Sequence, residues 1–291
     1  MRLFTALASS GAIAVALLAA PLSRAQDVTT YHNDNFRTGL NPNETVLTPA
    51  NVNPANFGLL FSLPVDGQVY AQPLYLSNVN IPGKGVHNVV YVCTQHNTVY
   101  AFDADSNQGA NAQPLWKVNL GPSVPSNETY SDDITPEVGI TGTPVIANVM
   151  SGGPFLYVVA KTKNVSKTGQ VTYAVKLHAL NVATGLQPTG SPNPITRSGF
   201  PGTGEGSVGG YLTFDARIQH QRAGLNFVPA SATNGNKNLI VITFASHGDN
   251  GPYHGWIFAY DATNMRIVSV ANTTPNAKND PRGYPIAAEI G

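Results

Sequence analysis

VVYVCTQHNTVYAFDAD, residues Val89 to Asp105, is the stretch on which the fold turns. A run rich in β-branched and aromatic residues stops at a polar turn around Gln95-His96-Asn97. A second run then closes on Ala, an apolar residue and Asp, so the stretch predicts a β-hairpin. The phrase returns twice. FLYVVAKTK with YAVKLHALNVATG covers Phe155 to Gly185, and LIVITFASHGD with GWIFAYDAT covers Leu239 to Thr263. Aligned on the alanine before the closing pair, Ala101, Ala179 and Ala259 stand 78 and 80 residues apart. A fixed period means one supersecondary unit repeated, each copy covering the face its neighbour cannot bury alone.

Upstream of each hairpin lies one more apolar segment: AQPLYL (Ala71 to Leu76), TGTPVI (Thr141 to Ile146) and RAGLNFV (Arg222 to Val228). In the first copy PLWKVNL, Pro114 to Leu120, follows the hairpin. Four strands per unit describe a propeller blade. Helical periodicity is almost absent after the first residues, and the 28 Gly and 22 Pro punctuate turns throughout. The expectation is an all-β chain, a β-propeller of four-stranded antiparallel blades at roughly 66–120, 137–200 and 219–275. The period exceeds the ~40–50 residues of common blades, and the surplus in Pro122 to Glu137 and Gln187 to Gly210 reads as loop insertion. A closed ring needs ~4–8 blades and three are visible, so the propeller is expected to be incomplete and the chain to be a fragment lacking C-terminal blades. FGLLFSLPV, residues 57–65, reads as a strand without an upstream partner, a candidate ring-closing strand. PIAAEIG (Pro285 to Gly291) reads as the apolar start of another, and residues 26–56 read as an extended N-terminal segment.

Arg2 followed by an apolar run from Leu3 to Ala20, Pro21, and the small residues of Ser23-Arg24-Ala25 form a secretory leader. Cleavage after about Ala25 predicts a secreted or periplasmic protein with no membrane span. Removing Arg2 and Arg24 changes the balance from 16 basic and 16 acidic residues to 14 and 16. Such a chain has no electrostatic footprint for nucleic acid. Charged residues make up 11 % of the sequence against about 25 % in ordinary domains, so Asn, Thr, Ser, Gln and Gly must form the surface. Cys93 is the only cysteine and excludes an internal disulfide. Its place in the strand YVCT reads as a small buried residue rather than a nucleophile.

Ala101-Phe102-Asp103-Ala104-Asp105 with Trp116 resembles the tryptophan-docking phrase of pyrroloquinoline-quinone-type propeller repeats, A-x-D-x-x-T-G-x…W. Ala179-Leu180-Asn181-Val182-Ala183-Thr184-Gly185 keeps the Thr-Gly and lacks the Trp. Ala259-Tyr260-Asp261-Ala262-Thr263 keeps the Asp and lacks both Gly and Trp. The resemblance spans about residues 57–270. It implies that Trp116 packs between adjacent blades and that the second and third copies need other packing. YHNDNFRTGLNPNET (Tyr31 to Thr45), TPEVGITGTPVI and SHGDNGPYHGW also look like a group of exported bacterial propeller proteins of unassigned activity.

A propeller's ligands usually sit at the channel mouth, where each blade's innermost strand begins. The aligned positions there are Asp66, Gln72, Glu137, Thr141, Thr143, His220, Gln221 and Arg222. Carboxylates, amides and an Arg could hold Ca²⁺ and an anionic quinone, or they could satisfy backbone amides around a water-filled channel. His247, Asp249 and His254 are the one cluster with transition-metal character. The plainer reading ties them to the Gly-rich backbone of their own hairpin. Tyr31 to Asn35 with Arg37 offers similar groups, though Asn-Asp-Asn is first of all turn chemistry. Residues 202–210, GTGEGSVGG, open no helix and so lack the helix N-terminus of a phosphate site.

These residues lead to an expected non-catalytic binding or scaffolding protein, taking a small molecule, glycan or protein at the channel mouth. The alternative is part of a pyrroloquinoline-quinone-dependent alcohol or sugar dehydrogenase with Ca²⁺. For that family the resemblance implies a carboxylate base. In its alcohol-dehydrogenase branch it also implies a pair of adjacent cysteines over the quinone, where Cys93 stands alone. A carbohydrate-binding module would need exposed aromatics, for which Tyr211, Tyr253 and Trp256 are candidates.

Overall fold

The computed structural model describes residues 26–249 and 251–278. The expected leader and PIAAEIG lie outside them, as does the side chain of Asp249. No α-helix occurs among the described residues, and none of their helices is long and apolar enough to cross a membrane.

Three antiparallel sheets follow one another along the chain. The first runs β1 (Leu74–Ile81), β2 (Gly85–Cys93), β3 (Thr98–Asp103), β4 (Trp116–Asn119), with neighbours in sequence paired in space. A two-residue pair, β5 (Val124–Pro125) with β6 (Glu137–Val138), leads to the second sheet. That sheet contains β7 (Val145–Met150), β8 (Gly153–Val165), β9 (Val171–Asn181) and β10 (Asn193–Pro194), in the same order. After a short pair, β11 (Phe200–Pro201) with β12 (Tyr211–Leu212), the third sheet begins. Its first strand is split into β13 (Gln219–His220) and β14 (Asn226–Val228), both paired with β15 (Leu239–Ser246). The sheet continues through β16 (Trp256–Asp261) and β17 (Ile267–Asn272). The three anchor alanines share one register, Ala101 opposite Tyr91, Ala179 opposite Tyr157 and Ala259 opposite Val241. The described residues form no closed ring of sheets.

The second sheet is buried on both faces, which is why β8 reads as a nearly continuous apolar run. Its side chains alternate with the two-residue strand period. Leu156, Val158 and Ala160, with Leu180 and Val182, join the first sheet's core; Tyr157 and Val159, with Leu177 and Ala179, join the third sheet's. Trp116 lies at the first interface. Its Nε1 donates to Val182 O at 2.9 Å, and a Cβ at Gly185 would fall 2.8 Å from the indole. Gly185 has φ +71°, a left-handed conformation that glycine adopts without cost.

An N-terminal strap crosses the first-strand edges of all three sheets. Val28 and Tyr75 exchange backbone hydrogen bonds at 2.9 Å, and Ile146 N donates to Thr29 O at 2.8 Å. Asn35 Nδ2 donates to Phe227 O at 2.9 Å and Arg37 Nη2 to Leu225 O at 3.0 Å. The segment 57–65 belongs to no sheet. Phe61, Leu63 and Val65 are half-buried, while Leu59 and Leu60 are 85 % and 90 % exposed.

Candidate functional site

The eight residues expected on one rim fall into three groups. In the first, Asp66 accepts from Thr94 Oγ1 at 2.8 Å and from Thr98 Oγ1 at 2.6 Å, while its own N–H donates to Tyr100 Oη at 3.2 Å. Beside it, Glu137 is held by His96 Nδ1 at 2.7 Å and by the Ser123 hydroxyl. That carboxylate raises the His96 pKa above the ordinary imidazole value. Both carboxylates thus serve the turn between β2 and β3.

The second group lies between the second and third sheets. Thr141 Oγ1 donates to Gln221 O at 2.7 Å and meets His220 Nε2 at 3.0 Å. His220 stacks on His247 with ring centroids 4.2 Å apart, and His247 Nε2 accepts from Lys161 Nζ at 2.8 Å. Lys161 is 4 % exposed and also donates to Arg217 O and Gln219 O, at 2.8 and 3.1 Å. Burial pushes its pKa down to about 7. Burial, with Lys161 nearby, pushes His220 down to about 3 and His247 to about 2. Both imidazoles are therefore neutral, and Lys161 Nζ has three hydrogen-bond partners. Lys161 escaped the sequence reading because AKTK, closing the apolar run Phe155 to Ala160, looks like a solvated strand end.

The third group is a cavity of about 430 Å³ lined by Tyr31, Arg37, Tyr70, Thr143, Arg222, Ala223 and Gly224. Each sheet reaches it through the segment entering its first strand, and the strap supplies Tyr31 and Arg37. Gln72 N donates to Thr143 Oγ1 at 2.9 Å, and Gln72 Oε1 accepts from His32 N at 3.1 Å, fastening strap and sheets together. Gly224 is required by close approach, since a Cβ there would lie 2.8 Å from Tyr31 Cβ. Arg37 has φ +59°, uncommon for a side-chain-bearing residue. Its Nη1 is anchored on Thr30 Oγ1 at 2.6 Å and Tyr31 O at 2.8 Å. Arg222 is exposed and lies over the Tyr70 ring at 5.4 Å, while Arg37 lies over Tyr31 at 5.8 Å. Neither arginine forms an ion pair among the described residues, and the lining contains no carboxylate. Tyr70 was missed in the sequence because one tyrosine before a strand carries no spacing signal.

The residues singled out for a metal point to separate partners. His254 Nε2 donates to Glu205 O at 2.8 Å, and its Nδ1 meets the Thr274 hydroxyl at 3.1 Å. His247 belongs to the Lys161 group. No group of three or more His, Cys, Asp or Glu placed to hold a metal occurs among the described residues. Cys93 is buried, and desolvation raises its thiol to about 12, the state of an inert side chain. No protein-family model matches the chain, and no curated protein matches it.

Proposed function

We propose that the chain is an exported, non-catalytic binding protein built from propeller-type blades of the quinoprotein-like repeat kind. Its ligand, a small anion with a planar body, occupies the cavity on the first-strand edges, the place of a propeller's channel mouth. One observation carries this reading: the cavity draws on all three sheets and the strap, and it presents two guanidinium groups and two aromatic rings with no carboxylate. A guanidinium matches the geometry of a carboxylate or phosphate with paired N–H donors. Arg37 is preorganised by its hydrogen bonds, so little rotamer freedom is lost on binding. Arg222, exposed and lying over Tyr70, adds the second guanidinium. None of the lining residues forms a nucleophile–base pair, which favours recognition over chemistry.

The dehydrogenase alternative asks these residues to hold Ca²⁺ beside the quinone. They do not fit. Asp66 and Glu137 are each engaged by two side chains and line no part of the arginine cavity, whereas Ca²⁺ takes six to eight oxygen ligands converging on one point.

The test is thermal unfolding of residues 26–291 titrated with phthalate, inorganic phosphate and pyrroloquinoline quinone, each with and without Ca²⁺. The expected result is a Tm that climbs with phthalate or quinone, independent of Ca²⁺ and lost in Arg222→Ala. No shift with any of them up to ~10 mM would sink the reading, since weaker binding is not specific. A shift with quinone only in the presence of Ca²⁺ would put the dehydrogenase ahead.

A further inference from the structure

A second cavity, of about 580 Å³, lies between the outer strands of the second sheet and the loops flanking the third. It shares no residue with the arginine cavity, and its chemistry is the reverse. The polar groups that matter are Glu205, Asp215, Gln219, Thr196 and Thr213, around an apolar floor at Phe214. The Glu205 carboxylate makes no hydrogen bond or ion pair among the described residues. Asp215 uses Oδ1 to accept from Arg217 N at 2.8 Å and keeps Oδ2 open. Gln219 is 3 % exposed; its Nε2 donates to Ser246 Oγ at 3.3 Å, but its Oε1 has no partner. An unpaired buried amide oxygen is costly, and a native structure tolerates it where a donor arrives from elsewhere.

The wall is thus rich in acceptors, and its ligand must bring hydrogen-bond donors. Two basic groups, Arg217 and Lys161, already lie near Asp215. Arg217 donates Nε to Glu128 O at 2.7 Å and stacks over Tyr130 at 4.1 Å, and Lys161 donates to Arg217 O and Gln219 O. With basic groups already beside Asp215, a neutral donor suits the cavity better than a cationic one. The Thr196 and Thr213 hydroxyls can donate as well as accept, which favours a ligand that also carries acceptors. Phe214 is locked by edge-to-face contacts with Phe244 and Phe258, centroids 5.0 and 5.2 Å away, and so forms a rigid apolar floor. Dense hydroxyls on one edge and C–H groups on a face describe a sugar ring.

We propose that this cavity between the second and third sheets is a binding site for a neutral saccharide. Glu205, Asp215 and Gln219 accept from its hydroxyls, and Phe214 lies beneath its apolar face. The volume falls within the ~300–1,000 Å³ of small-ligand pockets.

The experiment is a microarray of neutral glycans probed with residues 26–291, followed by titration of the best-captured free oligosaccharide. The expected result is capture of neutral glycans, weakened ~10-fold or more by Glu205→Gln and by Asp215→Asn and unchanged by Arg222→Ala. Thr213→Val, at an exposed position, is expected to weaken binding less while melting like the unmodified chain. Absence of neutral-glycan capture, capture confined to acidic glycans, or capture unaffected by both carboxylate substitutions would each overturn the assignment. Displacement of a bound glycan by spermidine at the same cavity would reassign it to amines.

Discussion

At the interface between the first two sheets, Tyr91 Oη donates to Val182 O at 3.1 Å; between the last two, Tyr157 Oη donates to Ala262 O at 2.7 Å. The tyrosines hold the same register opposite an anchor alanine, and each acceptor lies three residues past the next sheet's anchor. The material around that shared bond differs. At the first interface Trp116 of β4 lands on Gly185, and the remaining side chains are mostly aliphatic. At the second, β10 carries no tryptophan, and the position equivalent to Gly185 is Met265, also left-handed with φ +62° and fully buried. Large on small has become small under large. Phe200 and Phe214, from the segment between the sheets, add edge-to-face contacts around Trp256 and Phe258. What the repeat keeps is the backbone acceptor and its register; the volume can come from either side.

The widest separation of the two interfaces is expected under acid. His220 and His247 lie at the second interface with pKa values lowered to about 3 and about 2, while His178, on the other face of β9, is lowered to about 4. An imidazole that resists protonation when folded leaves the unfolded chain binding more protons below pH 6.5. Its stabilisation is therefore complete above pH 6.5 and lost as pH falls toward the folded pKa. Stability should therefore fall between pH 7 and 4, with the larger part of the loss at the second interface, which carries two of these histidines. Lys161 acts with the same sign higher up, stability rising as pH increases from about 7 toward 10.5. Each interface carries one of the chain's two tryptophans, so Trp116→Phe and Trp256→Phe variants report on them separately by fluorescence. Coincident acid transitions would break the comparison.

Truncation gives the next effect. Trp256→Ala, at 1 % exposure, should cost about 3–5 kcal/mol, and the half-buried Trp116→Ala about 2–3 kcal/mol, measured as shifts in urea midpoint. Equal losses would mean that the aromatic cluster contributes no more than the single docked indole. The smallest of the three is Gly185→Ala, expected to cost about 2 kcal/mol through a strained φ and contact with the indole. Adding Trp116→Ala should recover the contact share, and strict additivity would remove the docking geometry from the account.

The three sheets were legible because each repeats one hairpin phrase. The third unit's first strand was legible only as RAGLNFV; its other half, β13, is two residues long and too short to carry a period. Gln187 to Gly210 read as plain insertion because Gly and Pro dominate it, yet it holds β10 and the Phe200 that packs on Trp256. Aligning the rim residues along the chain places backbones and cannot say which neighbour a carboxylate will choose. Asp66 and Glu137 chose the adjacent turn. The strap was invisible as such, because each of its contacts involves one or two residues with no periodic mark.

Residues 28–37 of the strap contact positions as distant as 225 and 227. Contacts 188 and 192 residues apart form late, since the intervening loop entropy must be overcome first. The strap, synthesised well before the third sheet, is therefore among the last segments to take its place. Until it does, the edges of three finished sheets stay open and the arginine cavity lacks one of its walls.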